Sequence, residues 1–484
     1  MFQYIDSHKE PMRKVDTAWL RMESPHNLMM ITGLMFLDKM PDLAQFTEAL
    51  EKKFLKYRRF KQLAHQTASG SYWQDDKYFD MAAHVRRVAL PGRADYRELQ
   101  DYVSNLASTP LDKHKPLWSF HIVENYDKGP VVVSRIHHCY ADGIALIQVL
   151  LSMTSTSREK SLDFDVDESQ KEHHQKLGLL KQVINPAKKQ FAHSLKLMNE
   201  VTELGKKIFQ DPSLIEKGVG DSVDIAEELF NALTLSDDPE TVYKSELCTR
   251  KRVAWAQSIP LDEVKAIAKA TGTTVNDVLI SNLSGALREY MIERGDDPDD
   301  KVIRATVPVN LRPLKHAKEL GNHFGLVFLN LPIFEHNPLK RLAYVHHEMN
   351  ELKKSKQALV SLGLLSMIGL APLAAQNVLL NQFSKKATAV LTNVPGPSVP
   401  LYIAGCKVEK TMFWVPQNGT IGMGISILSY NGQVEFGLIV DKNMVPQPHQ
   451  VIVRFPEQFA QLKELMMLHP WDGEVHVELF EDFV

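Results

Sequence analysis

The stretch "GPVVVSRIHHCYADGIALIQVLLSM", Gly129 to Met153, constrains this chain more than any other. It opens with a β-branched run bounded by Gly129-Pro130, which reads as a buried strand. From Gly143 onward it is apolar and reads as a helix. Two adjacent histidines, His137 and His138, and an Asp142-Gly143 pair occupy the few residues between. With its neighbours it mixes strands and helices around one core over the first 150 residues.

The flanking sequence agrees. "MMITGLMFLD" reads as an early strand, and "DLAQFTEALEKKFLKYRRF" as a helix with Leu43, Phe46, Leu50 and Phe54 on one face. At 484 residues the chain is too long for one core, and two domains are the default. The segment from Ser155 to Glu246 is charged, rich in lysine and poor in apolar residues at its start ("STSREKSLDFDVDESQKEHHQK"), so it reads as a linker between two halves. The expected division is residues 1–155, a helical and charged crossover at 156–246, and 247–484. In the last part "RVAWAQSIP", "VIRATVPVN", "GLVFLNLP" and "ATAVLTNV" read as strands. "LDEVKAIAKATG" and "VNDVLISNLSGALREYM" read as helices, and "GTIGMGISILSYNGQVEFGLIVD" as a hairpin turning at Asn431-Gly432.

Several function classes are disfavoured. A formal net charge of −3 makes no electrostatic case for nucleic acid. Cys139, Cys248 and Cys406 are odd in number and widely spaced, which argues against a disulfide framework or a thiolate zinc site and suits a reducing cytosol. The opening "MFQYIDSHKEPMRK" has no apolar signal-peptide core. "ALVSLGLLSMIGLAPLAA", Ala358 to Ala375, has spanning length but contains Pro372 and many small residues. It reads as a buried or interfacial helix and is the candidate for contact with a membrane or lipid-droplet surface.

In extended backbone, neighbouring side chains point to opposite faces. Only one of His137 and His138 can therefore face a given cavity, so the pair is one catalyst and one structural neighbour. Asp142 stands at the N-cap of the helix, and Gly143 leaves the turn free of a Cβ. Three readings compete at this point: a core histidine pair with an ordinary cap, a metal site on His138 and Asp142, and a histidine general base. Adjacent histidines chelate poorly and no third ligand is at hand. With no GxSxG elbow and no cysteine signature elsewhere, a base here would drive direct transfer without a covalent enzyme intermediate. His137 and Asp142 also fit an H-x4-D spacing used by other glycerolipid acyltransferases, but the nearest echo of their second block, "FPEQ" at Phe455, is far downstream.

"HHCYADG" has the HHxxxDG pattern and resembles the signature of the acyl-CoA-dependent acyltransferases that include chloramphenicol acetyltransferase and peptide-synthetase condensation domains. "LDKHKPLW", "VNDVLISNLSGALREYM" and "LTNVPGPSVPLYIAG" resemble the PLW, ND and NVPGP blocks of bacterial wax ester synthase/diacylglycerol acyltransferases. "DTAWLRMESPHNLMMITGL" is similar to the N-terminus of that family, and "VPVNLRP" with "GNHFG" to its later segment. The blocks run in the family's order along nearly the whole chain.

The resemblance implies two chloramphenicol-acetyltransferase-like α/β domains, each a mixed sheet flanked by helices, with an active-site tunnel at their interface. It implies an O-acyltransferase that moves a fatty acyl group from acyl-CoA, a substrate and not a resident cofactor, to a long-chain alcohol or a diacylglycerol. No metal or other cofactor is implied. The second histidine of the motif, His138, is the expected base. His137 and Gly143 complete the motif, and Asp142 is expected to hold the turn, by capping or by pairing with Arg312 or Arg135. Asn276, in the first turn of its helix, is a candidate for facing the oxyanion or holding substrate. Pro116, Leu117 and Trp118 are expected to pack beside the tunnel, Asn393, Pro395 and Gly396 to shape the channel as a rigid turn, and Arg312 and Asn322 to line it. Cys139 and Tyr140 fill variable positions of the motif; Cys139 reads as a small buried residue. The expected location is cytoplasmic, at the periphery of the inner membrane face or of lipid inclusions. Rival readings are a different hydroxyl or amine acceptor, or a catalytically silent lipid-droplet protein. The choice between alcohol and diacylglycerol and the oligomeric state are not legible.

Overall fold

The computed structural model describes residues 9–67, 70–164, 235–310, 320–322, 324–355, 357–358, 361 and 380–468. Its strands form two large mixed sheets and a small one. The first large sheet is built on β2 (Met30–Leu37), β5 (Val85–Val88), β6 (Trp118–Val123) and β7 (Val131–His137). Here β7 lies between β2 and β6, and Val131, Val132 and Val133 are all fully buried, as the β-branched run requires. Against this sheet pack α2 (Leu43–Ala49), α3 (Tyr96–Ala107) and α4 (Gly143–Met153). The small sheet joins β1 (Lys9–Pro11), β3 (Gln62–Thr67) and β4 (Gly70–Asp75), and α1 (Lys14–Met22) leads from it toward β2.

The second large sheet contains β8 (Lys251–Trp255), β9 (Ile259–Pro260), β10 (Ile303–Asn310), β11 (Phe324–Leu331), β12 (Ala389–Pro395), β15 (Met423–Tyr430) and β16 (Gln433–Asp441). Its helices are α5 (Leu261–Ala270), α6 (Val275–Glu293), α7 (Pro338–Lys354) and α8 (Arg454–Leu468). Helix α6 buries Val278, Leu279, Leu283, Ala286 and Leu287. The β15–β16 hairpin turns on Asn431 (φ 48°) and Gly432 (φ 77°), the two left-handed residues that a type I′ turn demands.

Three expectations change. First, the chain does not divide into self-contained units at residue 246. Two strands from the second half, β13 (Leu401–Ile403) and β14 (Cys406–Trp414), join the first sheet, where β14 pairs with β2 from Val408–Leu37 to Trp414–Thr32. Without them β2 would present an open apolar edge. Second, the helix expected across residues 42–60 is interrupted. α2 ends at Ala49, a widened turn spans Leu50–Phe54, and a short tight helix follows at Arg58–Lys61. The wide turn directs Phe54 onto Phe60, stacked at 4.0 Å, while Leu43 stays 37% exposed. Third, Asn393, Val394 and Pro395 belong to β12, so the turn of that block begins only at Gly396. Strand β6, buried at all six positions, was not anticipated from the sequence at all.

Among the described residues no helix is long and apolar enough to cross a membrane. Most of the Ala358–Ala375 stretch lies outside them.

Candidate active site

The motif loop is held by backbone contacts on every side. β7 ends at His137, paired with Met30, and the His137 N–H donates to the Leu117 carbonyl at 3.0 Å. The Leu117 N–H donates to the Tyr140 hydroxyl at 3.0 Å, which in turn donates to the Gln62 carbonyl at 2.8 Å. The His138 N–H donates to the Met29 carbonyl at 2.7 Å. Asp142 caps α4 by accepting the Ala145 N–H at 2.9 Å. Gly143 differs from its expected role: its φ is not left-handed, and a Cβ there would meet open space rather than a neighbour.

The second half of the chain clasps this loop. Gly321, with φ 109°, donates to the Tyr140 carbonyl at 3.1 Å and bridges Ala141 in parallel. Asn322 donates through Nδ2 to the His138 carbonyl at 2.9 Å and to Asp16 Oδ1 at 2.8 Å, and through its backbone N–H to the same oxygen at 3.0 Å. Burial pushes the Asp16 carboxyl up to about 6, against the lowering effect of Asn322, Arg13 and Arg59.

The adjacent histidines have different surroundings. His137 accepts the Cys139 N–H at Nδ1 (3.1 Å), which leaves its proton on Nε2, 3.1 Å from Glu23 Oε2. Burial raises the Glu23 carboxyl, but the contacts with His137 and Lys113 outweigh it and hold the group below its ordinary value. His138 is stacked on Trp19 with ring centroids 4.1 Å apart, and the Phe324 ring is 5.8 Å away. It is 5% exposed, and burial pulls its pKa down to about 4 despite the opposing charge of Asp142. Its Nδ1 is enclosed. Trp19 and Phe324 pack against the ring.

An apolar cavity of about 120 Å³ nevertheless reaches both flanks of the motif, at Ile136 and Gly143. The half-buried Leu146, Ile147 and Leu150 of α4 line it together with the buried Val149, while Ala145 on the same helix enters the core. Gly396 and Pro397 close another side, and a Cβ on Gly396 would run into the Ser429 carbonyl.

The other expected residues fall in different places. The Arg135 guanidinium is directed to the Thr109 carbonyl and the Met30 sulfur rather than to Asp142. Arg312 lies outside the described residues. Asn276 and Asn393 meet each other, Asn393 Nδ2 donating to Asn276 Oδ1 at 3.0 Å, so the ND and NVPGP blocks touch. The N-terminal turn of α6 is capped by Thr274 and by the fully buried Asp277, whose carboxylate lies 2.7 Å from His346 Nδ1. Trp118 donates to the Phe60 carbonyl at 2.8 Å and sits within a cluster of aromatic rings. Pro116 leads into that strand; Pro395 ends β12. The Cys139 thiol is buried and pushed well above its ordinary pKa, which keeps it protonated and unreactive. Among the described residues no group of His, Cys, Asp and Glu could hold a metal ion. Asp16, Trp19 and Glu23 were missed. Their signal was present in "DTAWLRME": an acid and an aromatic at i and i+3 of one helix, with a second acid just past its end.

Residues 12–279 match the model of the wax ester synthase/diacylglycerol acyltransferase catalytic domain, and residues 320–463 the model of the WS/DGAT C-terminal domain. The chain is 28% identical over 473 residues to the O-acyltransferase WSD of Acinetobacter baylyi, covering 93% of this chain and 96% of that one. It is 26% identical over 430 residues to the probable diacylglycerol O-acyltransferase tgs1 of Mycobacterium tuberculosis, covering 87% and 88%. The fold is similar to that of the wax ester synthase/diacylglycerol acyltransferase from Marinobacter aquaeolei VT8, with a TM-score of 0.66, 23% identity and coverage of 94% of this chain and 99% of that one. A starter condensation domain of rhizomide synthetase shares the fold at a TM-score of 0.55 and 13% identity, over 95% of each chain. With one family model spanning more than half of its length and the second covering most of the remainder, this chain belongs to the wax ester synthase/diacylglycerol acyltransferase family.

Proposed function

We propose that His138 is the general base of an O-acyltransferase that transfers a fatty acyl group from acyl-CoA to a long-chain alcohol or a diacylglycerol. The observation that carries this reading is the junction at His138: an imidazole kept neutral by burial, on a loop from the first half, gripped by Asn322 from the second, beside an apolar cavity. With Nδ1 enclosed, Nε2 is the nitrogen that takes the proton. The acceptor oxygen gives its proton to Nε2 as it bonds to the thioester carbonyl carbon. The tetrahedral intermediate then expels the coenzyme A thiolate, which takes that proton back from His138. A thiol with a pKa of about 8.5 leaves readily, so no covalent enzyme intermediate is needed. General base catalysis contributes on the order of 10²–10⁴-fold, and the remainder falls to positioning and oxyanion stabilisation. Asn276, at the positive end of α6 and bonded to Asn393, is our candidate for that second task.

The apolar cavity fits part of an acyl chain. Insoluble acceptors place the protein at the periphery of a membrane or lipid inclusion, on the cytoplasmic side. Replacing Leu364 and Ile368 with lysine should release it from lipid vesicles in co-flotation; unchanged flotation removes that stretch from consideration. The reaction is tested by mixing the purified protein with palmitoyl-CoA and either hexadecanol or a diacylglycerol and following free thiol. Thiol release that requires an acceptor is the expected result. Release with a sugar or amine alone would move the acceptor class, and none with any acceptor would point to a silent lipid-binding protein.

A further inference from the structure

Helix α1 stands against the two histidines: Trp19 touches His138 directly, Asp16 reaches its loop through Asn322, and Glu23, the extended residue that ends the helix, faces His137. Trp19 lies flat on the His138 ring at 4.1 Å and an interplanar angle of 21°. Asp16 receives both N–H groups of Asn322, whose amide in turn holds the His138 carbonyl. Glu23 faces His137 Nε2 at 3.1 Å. The outer side of the helix is fastened to the small sheet, where Arg21 donates to the Thr67 carbonyl at 3.0 Å. Ring plane, carbonyl and neighbouring histidine are therefore all referred to one rigid element.

The same spot holds a buried polar atom without a partner: Trp19 Nε1 has no hydrogen-bond partner among the described residues, which costs free energy. We infer that α1 is a positioning element for the transfer reaction, with the Trp19 ring face orienting and desolvating the His138 imidazole and the Asp16–Asn322 pair fixing its backbone. Trp19 acts through its flat face and not through its N–H, and Asp16 acts through Asn322. This inference rests on His138 being the base.

The test is the steady-state kinetics of Trp19→Leu and Trp19→Phe across pH, with palmitoyl-CoA and hexadecanol. Misplacing a catalytic group by about 1 Å costs on the order of 10²-fold, so Trp19→Leu should lose about that in kcat with KM for acyl-CoA held. Trp19→Phe, which keeps a flat ring, should recover most of the loss. The acid limb of kcat/KM, expected near 4 in the unaltered protein, should move up toward the ordinary imidazole value in Trp19→Leu as water reaches the ring. The charged and titratable groups facing that ring are Asp142 and His137 on its own loop, with Asp16, Arg13 and Arg59 beyond Asn322. A folded Trp19→Leu with unchanged kcat and pH limb overturns the inference, and so does a loss carried by KM in both variants. Should Trp19→Leu fail to fold, Asn322→Ala decides: a fall in kcat at constant KM supports the inference, and an unchanged kcat overturns it. Failure of the unaltered protein to release thiol would instead overturn the parent reading, so the two failures are distinct.

Discussion

Two openings lie against the first sheet. One is the apolar cavity of about 120 Å³ under α4; the other is a groove of about 1390 Å³ between α3, β8 and α8. Met35 lines the first and its neighbour Phe36 the second, so they lie on opposite faces of β2. The groove is much the larger and carries both charge (Arg97, Lys128, Glu457) and aromatic rings (Tyr96, Trp255). The small cavity reaches Ile136 and Gly143, on either side of the two histidines. What sets its surroundings apart is a nearby imidazole kept neutral by burial and gripped from both halves of the chain.

The largest expected effect comes at the motif. His138→Ala should lower acyl transfer by about 10²–10⁴-fold with both acceptors together, whereas His137→Ala should chiefly lower the thermal unfolding midpoint. Transfer at near the unaltered rate in the His138 variant would remove the distinction between the two openings. Next in size is the cavity itself. Gly143→Leu, placed where a side chain meets open space, should cut kcat/KM for palmitoyl-CoA by about tenfold relative to octanoyl-CoA. Equal loss for both donors would mean that the cavity does not hold the acyl chain.

A smaller effect concerns stability and pH. His138 titrates at about 4 in the folded chain, below its ordinary value, so its contribution is complete above pH 6.5 and fades as the pH falls toward 4. Asp16, raised to about 6 by burial, works in the opposite sense, contributing below pH 3.8 and losing that as the pH rises through 6. His138→Gln should therefore lose less stability than the unaltered protein between pH 7 and pH 5 in urea unfolding; parallel curves would contradict the burial of the ring. The smallest effect is expected at the groove. Arg97→Ala and Lys128→Ala should leave acyl transfer within about twofold, as for ordinary surface changes, and a larger fall would give the groove a part in the reaction.

The segments legible in the sequence are those whose structure is decided by neighbours along the chain. Strand β7, helix α4 and the Asp142 cap follow from a β-branched run, an apolar run and an N-cap residue. The Asn431-Gly432 hairpin follows from turn chemistry. The motif histidines were legible as a pair with divided labour, and His137 and His138 do occupy different surroundings. Less legible was anything that depends on a distant partner. β14 alternates charged and apolar residues ("KVEKTMFW") and gave no sign that it would cross to pair with β2, since an edge announces its need but not its partner. The break in the 42–60 helix reflects the pull of Phe60 and Trp118 on Phe54, a tertiary preference that overrides local periodicity.

By itself the amino-acid sequence determined the mixed α/β layers, the position and capping of the motif turn, and the family to which the blocks belong. Only the tertiary structure decided which groups surround His138. Trp19, Asp16 and Asn322 come from positions more than 100 and 180 residues away in the chain, on both sides of the motif. Local propensity acts over a few residues, but desolvation, stacking and hydrogen bonding depend on what is near in space, and the chain must fold before that exists.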